Sequence, residues 1–223
     1  MDLSQENIAR YLNSFVQHPH PHLAVLEADA AARHVPIIGP WEGQLLALLA
    51  RSIHAQQILE LGTATGYSAI WFATATAAWD GHVTTIDQDP TRVNEARQNF
   101  ISAGVSSRIE IVQGVALSAL NALPGPFDFI FNDILYYFQN TEEAQQLLGA
   151  CVQRLRPGGL LLCDNALRGG RVMDPSSDAS VAGTKAFVEA LLRDPQMDTS
   201  LIPIRDGVLV CRKHGAGDGA KPV

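Results

Sequence analysis

The stretch QQILELGTATGYSAIWFATATAA, Gln56–Ala78, decides how the rest of the chain is read. A short apolar run ends in a turn carrying Gly62 and Gly66, and an apolar segment at helical spacing follows. That is a buried strand, a tight turn and a helix, the opening of a βαβ unit. Downstream the pattern repeats. HVTTID is a second strand, and PTRVNEARQNFISAG is a helix opened by Pro90 and closed by Gly104. RIEIVQG and FDFIFND are the third and fourth strands. EEAQQLLGACVQRL is a helix stopped by RPGG, LLLCDN is the fifth strand, and AGTKAFVEALLRD is the last helix. TSLIPI and GVLVCRK close as a hairpin around the RDG turn. Upstream, SQENIARYLNSF, LAVLEADAAARHV and EGQLLALLARSI read as three helices. The expectation is an α/β fold, a mostly parallel sheet of seven strands with one antiparallel strand and helices on both faces. It is read as one domain over 1–223, with a helical N-terminal extension over 1–35 and a flexible Gly-rich tail over 214–223.

Composition narrows the function. The 223 residues are 47% hydrophobic with a net charge of −7, which disfavours non-specific nucleic-acid binding. The three cysteines, Cys151, Cys163 and Cys211, lack zinc spacing and read as reduced, buried thiols of a cytoplasmic protein. No apolar run approaches the ~18 residues of a membrane span. His18–His22, HPHPH, alternates with prolines and reads as a stiff extended connector rather than a metal site.

Open parallel sheets bind ligands at the carboxyl ends of their strands, so the residues just after each strand carry the functional argument. After the first come Gly62, Gly66 and Ser68, the last at a helix N-terminus with free N–H groups. The glycine spacing is neither the dinucleotide nor the Walker pattern. After the second comes Asp87, placed to accept hydrogen bonds from a ribose diol, while Asp89 precedes Pro90 and suits a helix cap. After the fourth and fifth come Asp133 and the pair Asp164 and Asn165. These strands should be neighbours, which brings two carboxylates and an amide together. Such a hard-oxygen set suits Mg²⁺, Mn²⁺ or Ca²⁺; the plainer alternative is a set of helix caps and loop acids.

GPWEGQLLALL, ILELGTATGYSAIWFA, TIDQDPTRVNEARQNFISAG, FDFIFND, RPGGLLLCDNALRGGRV and PIRDGVLVCRK resemble, in order and spacing, the cation-dependent O-methyltransferases related to catechol and caffeoyl-CoA O-methyltransferases. The likeness runs from about Pro36 to Lys213. It implies a Rossmann-like fold, S-adenosyl-L-methionine (SAM), a divalent cation and a homodimer. Glu60, Gly62, Thr63 and Ser68 would surround the methionine part of SAM, Asp87 would hold the ribose hydroxyls, and Ala116 would lie near the adenine. Asp133, Asp164 and Asn165 match the metal ligands, and the implied acceptor is a phenolic small molecule with vicinal hydroxyls. A tRNA hydroxyuridine methyltransferase and a catalytically altered binding protein are the alternatives.

Three positions depart from the family pattern. Val115 stands where many relatives carry an acid, which removes one adenine contact. The lysine that serves as base three residues after the metal aspartate is replaced by Tyr136, and no basic residue occurs between Phe127 and Arg154. Three accounts compete. Tyr136 is the base as tyrosinate, or the cation alone acidifies the acceptor, or Tyr136 and Tyr137 are pocket or core aromatics. Arg168 stands where many relatives have an aromatic. Beside Gly169 and Gly170 it predicts a mobile cationic loop suited to an anionic substrate, or else a solvated arginine.

Overall fold

The computed structural model describes residues 11–175 and 178–218. In chain order the helices are α1 (His22–Arg33), α2 (Gly39–Ser52), α3 (Tyr67–Ala75), α4 (Pro90–Ser102), α5 (Ala116–Ala122), α6 (Thr141–Arg154) and α7 (Ala179–Arg193). The strands are β1 (Gln57–Leu61), β2 (His82–Asp87), β3 (Ile109–Gln113), β4 (Phe127–Asn132), β5 (Leu155–Cys163), β6 (Met197–Ile202) and β7 (Val208–Lys213). They form one sheet in the order β3-β2-β1-β4-β5-β7-β6. β1, β2, β3, β4 and β5 pair in parallel, and β7 lies antiparallel between β5 and β6. The order reverses at β1, so β1 and β4 border the crevice where such sheets take ligands.

Side chains alternate between the two faces of each central strand and build two separate cores. Ile58, Phe129, Phe131 and Leu162 pack with α1, α2, α3 and α4 on one face. Leu59, Leu61, Ile130 and Leu161 pack with α5, α6 and α7 on the other. Burial of each large apolar side chain contributes about 1.5–3 kcal/mol, which makes these faces the main stabilising term. α3 is apolar on every side because it is covered twice, by the sheet beneath and by α2 above.

Asp128, the polar break in the β4 run, closes the opposite edge of the sheet. Its Oδ2 accepts from the backbone N–H groups of Gln56 and Gln57 at 2.8 and 2.7 Å, and Arg156 pairs with its Oδ1. That one carboxylate satisfies the unpaired start of β1 and ties it to β4 and β5.

Three differences from the sequence reading have physical causes. α5, seven residues of alanine and leucine type, is too short to give a clear helical period, yet it completes the crossover from β3 to β4. β5 begins at Leu155 rather than Leu160, because RPGG continues as an irregular strand whose pairing with β4 shifts register between Phe127 and Phe129. The expected first helix falls mostly outside the described residues; 11–13 are helical. Of the expected tail, 219–223 lie outside the described residues, and Asp218 accepts from Gly215 N–H and pairs with Arg212.

Gly66, at the end of the β1–α3 turn, has φ +84° and its missing Cβ would lie 2.4 Å from Phe100 Cε1. Gly104 has φ +64° with nothing within 4 Å of a built Cβ. A left-handed residue with a side chain costs about 1–2 kcal/mol, and overpacking adds about 1–3 kcal/mol. Urea unfolding should therefore show Gly66→Ala losing about 3 kcal/mol and Gly104→Ala only about 1 kcal/mol. Equal losses would show that α4 yields to the new methyl.

Candidate active site

The β1–α3 turn makes one wall of a narrow cleft, and the segment before α2 makes the other. Ile37, Gly62, Thr63, Ala64, Ser68 and Asp133 line it. Gly62 N–H donates to Ile86 O at 2.9 Å, which fixes the turn onto β2. Thr63 is buried, and its Oγ1 lies 2.7 Å from Thr85 Oγ1. Thr85 in turn donates to Glu60 Oε2 at 2.5 Å.

Glu60 is fully buried, and its other oxygen, Oε1, has no protein partner. Burial pushes its pKa up to about 7; the nearby hydroxyls of Ser68 and Thr85 pull the other way, and the nearby Asp87 pushes further up. A buried carboxylate with an unfilled oxygen is stabilised by a cationic partner. Asp87 ends β2. Its Oδ2 accepts from Ala64 N–H at 2.9 Å and its Oδ1 from Asp89 N–H at 3.0 Å. Asp89 caps α4, accepting from Thr91 N–H at 2.8 Å. Gly114 N–H bonds Asp87 O, so the turn leading to Ala116 at the start of α5 sits against the same edge. The structure thus puts Gly62, Thr63 and Ser68 on one cleft, with Glu60 and Asp87 bonded behind its turn and Ala116 two residues beyond the Gly114 that bonds Asp87.

The second cluster lies beside the first and shares Asp133 with it. β4 and β5 are hydrogen-bonded neighbours, so the residues that follow them meet. Asn165 Nδ2 donates to Asp133 Oδ1 at 2.9 Å, and Asp164 Oδ1 accepts from Asn165 N–H at 2.7 Å. Two further groups, Glu42 and Arg205, join them. Glu42, in the first turn of α2, is fully buried, with Oε2 3.2 Å from Arg205 Nη1 and Oε1 without a partner. The same Nη1 lies 3.9 Å from Asp164 Oδ2. Burial, and then the charge of Asp164, raises Asp133 well above the usual carboxylate range, and Glu42 behaves likewise. Asp164 is raised by burial, with Arg205 opposing.

No three His, Cys, Asp or Glu side chains among the described residues form a ready metal cage. The oxygen chemistry nevertheless fits a hard divalent cation that keeps several waters. Two carboxylates and an amide meet at one rim, Glu42 holds an unfilled oxygen behind them, and mutual repulsion raises their demand for positive charge. The HPHPH segment serves otherwise: His18 Nε2 is 2.8 Å from Glu27 Oε1, and His22 Nε2 is 3.3 Å from Asn99 Oδ1.

An O-methyltransferase family model matches residues 17–214. The chain belongs to that O-methyltransferase family. Its catalytic class is SAM-dependent O-methyl transfer. The methyltransferase is 32% identical over 199 residues to a catechol O-methyltransferase of Mycobacterium tuberculosis, covering 88% of each chain. It is likewise 32% identical over 209 residues to a catechol O-methyltransferase of Niastella koreensis, covering 88% of this chain and 90% of that one. Among solved structures, the O-methyltransferase TomG of Streptomyces achromogenes in complex with SAM superimposes with a TM-score of 0.83. It is 29% identical, and the match covers 96% of this chain and 100% of that one.

Around the missing lysine the methyltransferase is built differently from either sequence expectation for Arg168. That side chain is neither solvated nor offered to a substrate. It is 5% exposed, and its Nη1 donates to Leu135 O and Thr184 Oγ1, both at 2.9 Å. Its guanidinium carbon stands 4.0 Å from the centre of the Tyr136 ring. Arg168 therefore fastens the Leu135–Tyr137 turn to α7, and its charge is spent inside the protein. Tyr136 Oη donates to Asp206 Oδ2 at 2.7 Å. Burial and then that hydrogen bond raise its pKa, the opposite of what a tyrosinate base requires. Glu42, Arg205 and the Arg168 clasp are the site features that sequence reasoning missed. Glu42 and Arg205 stood inside the quoted motifs, but their separation in the chain hid their pairing.

Glu60 gives a pH test. A carboxyl raised from 4.5 to about 7 by folding stabilises the protein fully below the unfolded value, and this contribution is lost as pH rises through 7. Ligand-free Glu60→Gln should therefore remove on the order of 3 kcal/mol from the fall in stability between about pH 5 and about pH 8. Urea unfolding at the two pH values checks it; an unchanged fall would place a cation or water on Glu60.

Proposed function

We propose that the enzyme methylates one hydroxyl of a catechol-like small molecule, with a divalent cation, Mg²⁺, Mn²⁺ or Ca²⁺, held by Asp133, Asp164 and Asn165. One observation carries this reading: Asp133 belongs to both clusters, lining the cofactor cleft and bonding Asn165 at the oxygen rim. An acceptor held at the rim is thereby next to the methyl donor. The catechol O-methyltransferase names of two relatives supply the acceptor class.

In this reading Glu60 takes the cationic amino-acid end of SAM through its unfilled Oε1, and Asp87 accepts from the ribose hydroxyls. SAM supplies a methyl group on a sulfonium centre, and in-line displacement needs the acceptor oxygen close, aligned and deprotonated. A divalent cation at the rim would supply Lewis acidity and a chelating point for two vicinal oxygens. That matters because a free phenol titrates near 10. Tyr136 stays protonated against Asp206 and forms a wall of the acceptor pocket. With no lysine in the β4–α6 segment, the acceptor's proton leaves to solvent water.

A panel of catechols and matched monophenols, assayed with labelled SAM in Mg²⁺, Mn²⁺ or EDTA, tests the proposal. Methylation should be confined to vicinal diols and should fall at least about 100-fold in EDTA and in Asp133→Asn. Tyr136→Phe should keep kcat within about threefold, whereas loss of a general base would cost about 100-fold or more. SAM binding without turnover of any acceptor under any metal would instead make the protein a binding module.

A further inference from the structure

Arg205 has no place in the methyl-transfer scheme above, yet it pairs with Glu42 and lies within reach of Asp164. It sits in the turn joining β6 to β7, with φ 52°, a left-handed conformation unfavourable for a residue with a side chain. From there its guanidinium grips Glu42 at 3.2 Å and leans on Asp164 at 3.9 Å. Glu42 is fully buried, and only one of its oxygens is matched. Asp206, next in the chain, is anchored separately by Tyr136 Oη and Gly169 N–H, so the turn is held from both sides. The Arg205 side chain is 34% exposed, which leaves it room to withdraw.

We propose that Arg205, held by Glu42, is a built-in counter-cation of the acid rim that keeps the cation-free pocket stable and weakens its hold on a divalent cation. Glu42 and Asp164 are buried and Asp133 is half-buried beside them, and removing the internal cation leaves whatever charge they carry unmatched. The same fixed positive charge, within about 4 Å of a ligand carboxylate, repels any second cation that approaches. Divalent binding therefore competes with an internal salt bridge, and the cation is easily exchanged. The second half of the proposal rests on the divalent reading of the site; the first half does not.

Mn²⁺ titration followed by electron paramagnetic resonance, together with thermal unfolding in EDTA, tests both halves on wild type, Arg205→Gln and Arg205→Lys. Arg205→Gln should unfold about 5 °C lower than wild type in EDTA. It should bind Mn²⁺ about tenfold more tightly and regain the lost stability once Mn²⁺ is added. Arg205→Lys, which keeps the charge, should stay near wild type in both measurements. Adding Glu42→Gln to Arg205→Gln should restore most of the stability in EDTA, because the orphaned acid is gone. An unchanged unfolding temperature for Arg205→Gln in EDTA overturns the counter-cation role. Mn²⁺ binding that is unchanged or weaker in Arg205→Gln overturns the affinity claim and leaves the divalent reading intact. Absence of Mn²⁺ binding from wild type and every variant overturns the divalent reading and the affinity claim with it, and the EDTA measurement then decides the first half alone.

Discussion

Acidic side chains crowded together at one edge of the sheet, most of them buried, govern this site. Strand alternation buries both faces of the sheet, and at its carboxyl edge Glu60, Asp87, Asp133 and Asp164 gather with Glu42 from α2. Burial alone makes ionised carboxylates costly, and their nearness adds repulsion. The edge resolves this in three ways. Asp87 is satisfied by backbone N–H groups, Asp164 and Glu42 share Arg205, and Glu60 keeps an unfilled oxygen. What is left over is a demand for positive charge, which a sulfonium cofactor bearing an ammonium group suits and which the proposed divalent cation would share. The fold has placed Glu42, Glu60 and Asp164 where little water reaches them, with Asp133 beside them at the cleft.

The aromatic turn after β4 belongs to the same arrangement. Arg168 could have supplied charge to the edge, but it is committed to Leu135 O, Thr184 and the Tyr136 ring. Tyr136 is committed to Asp206. The turn after β4 is therefore held on two sides, by Arg168 and by Asp206. Among the described residues Arg205 pairs with Glu42 and approaches Asp164, and its grip on Glu42 couples α2 to the β6–β7 turn across the site.

Much of this was legible in the residues. Strands followed by helices imply a parallel sheet, and a parallel sheet sends every residue after a strand to one edge; that logic alone joins Gly62, Asp87, Asp133 and Asp164. The neighbouring of β4 and β5 then brings Asn165 to Asp133. Glu42 was not legible, since an acid in the first turn of a helix reads as favourable to the helix dipole and solvated. Arg205 in an RDG turn reads as a surface residue, and the pair is separated by 163 positions. Arg168 was misjudged because flanking glycines suggest mobility, whereas here Gly169 and Gly170 adopt positive φ and let the backbone turn while the guanidinium stays buried. Local pattern identifies where side chains emerge; which charges neutralise one another depends on tertiary contacts that no local window contains.

Anomalous scattering from crystals grown with Mn²⁺, S-adenosylhomocysteine and a catechol tests the central claim most directly. The account predicts a single Mn²⁺ peak bounded by oxygens of Asp133, Asp164 and Asn165, with both catechol oxygens on the ion and Arg205 drawn back toward Glu42. A catechol bound beside the cofactor with no Mn²⁺ at the rim, and Arg205 still seated against Asp164, would contradict it.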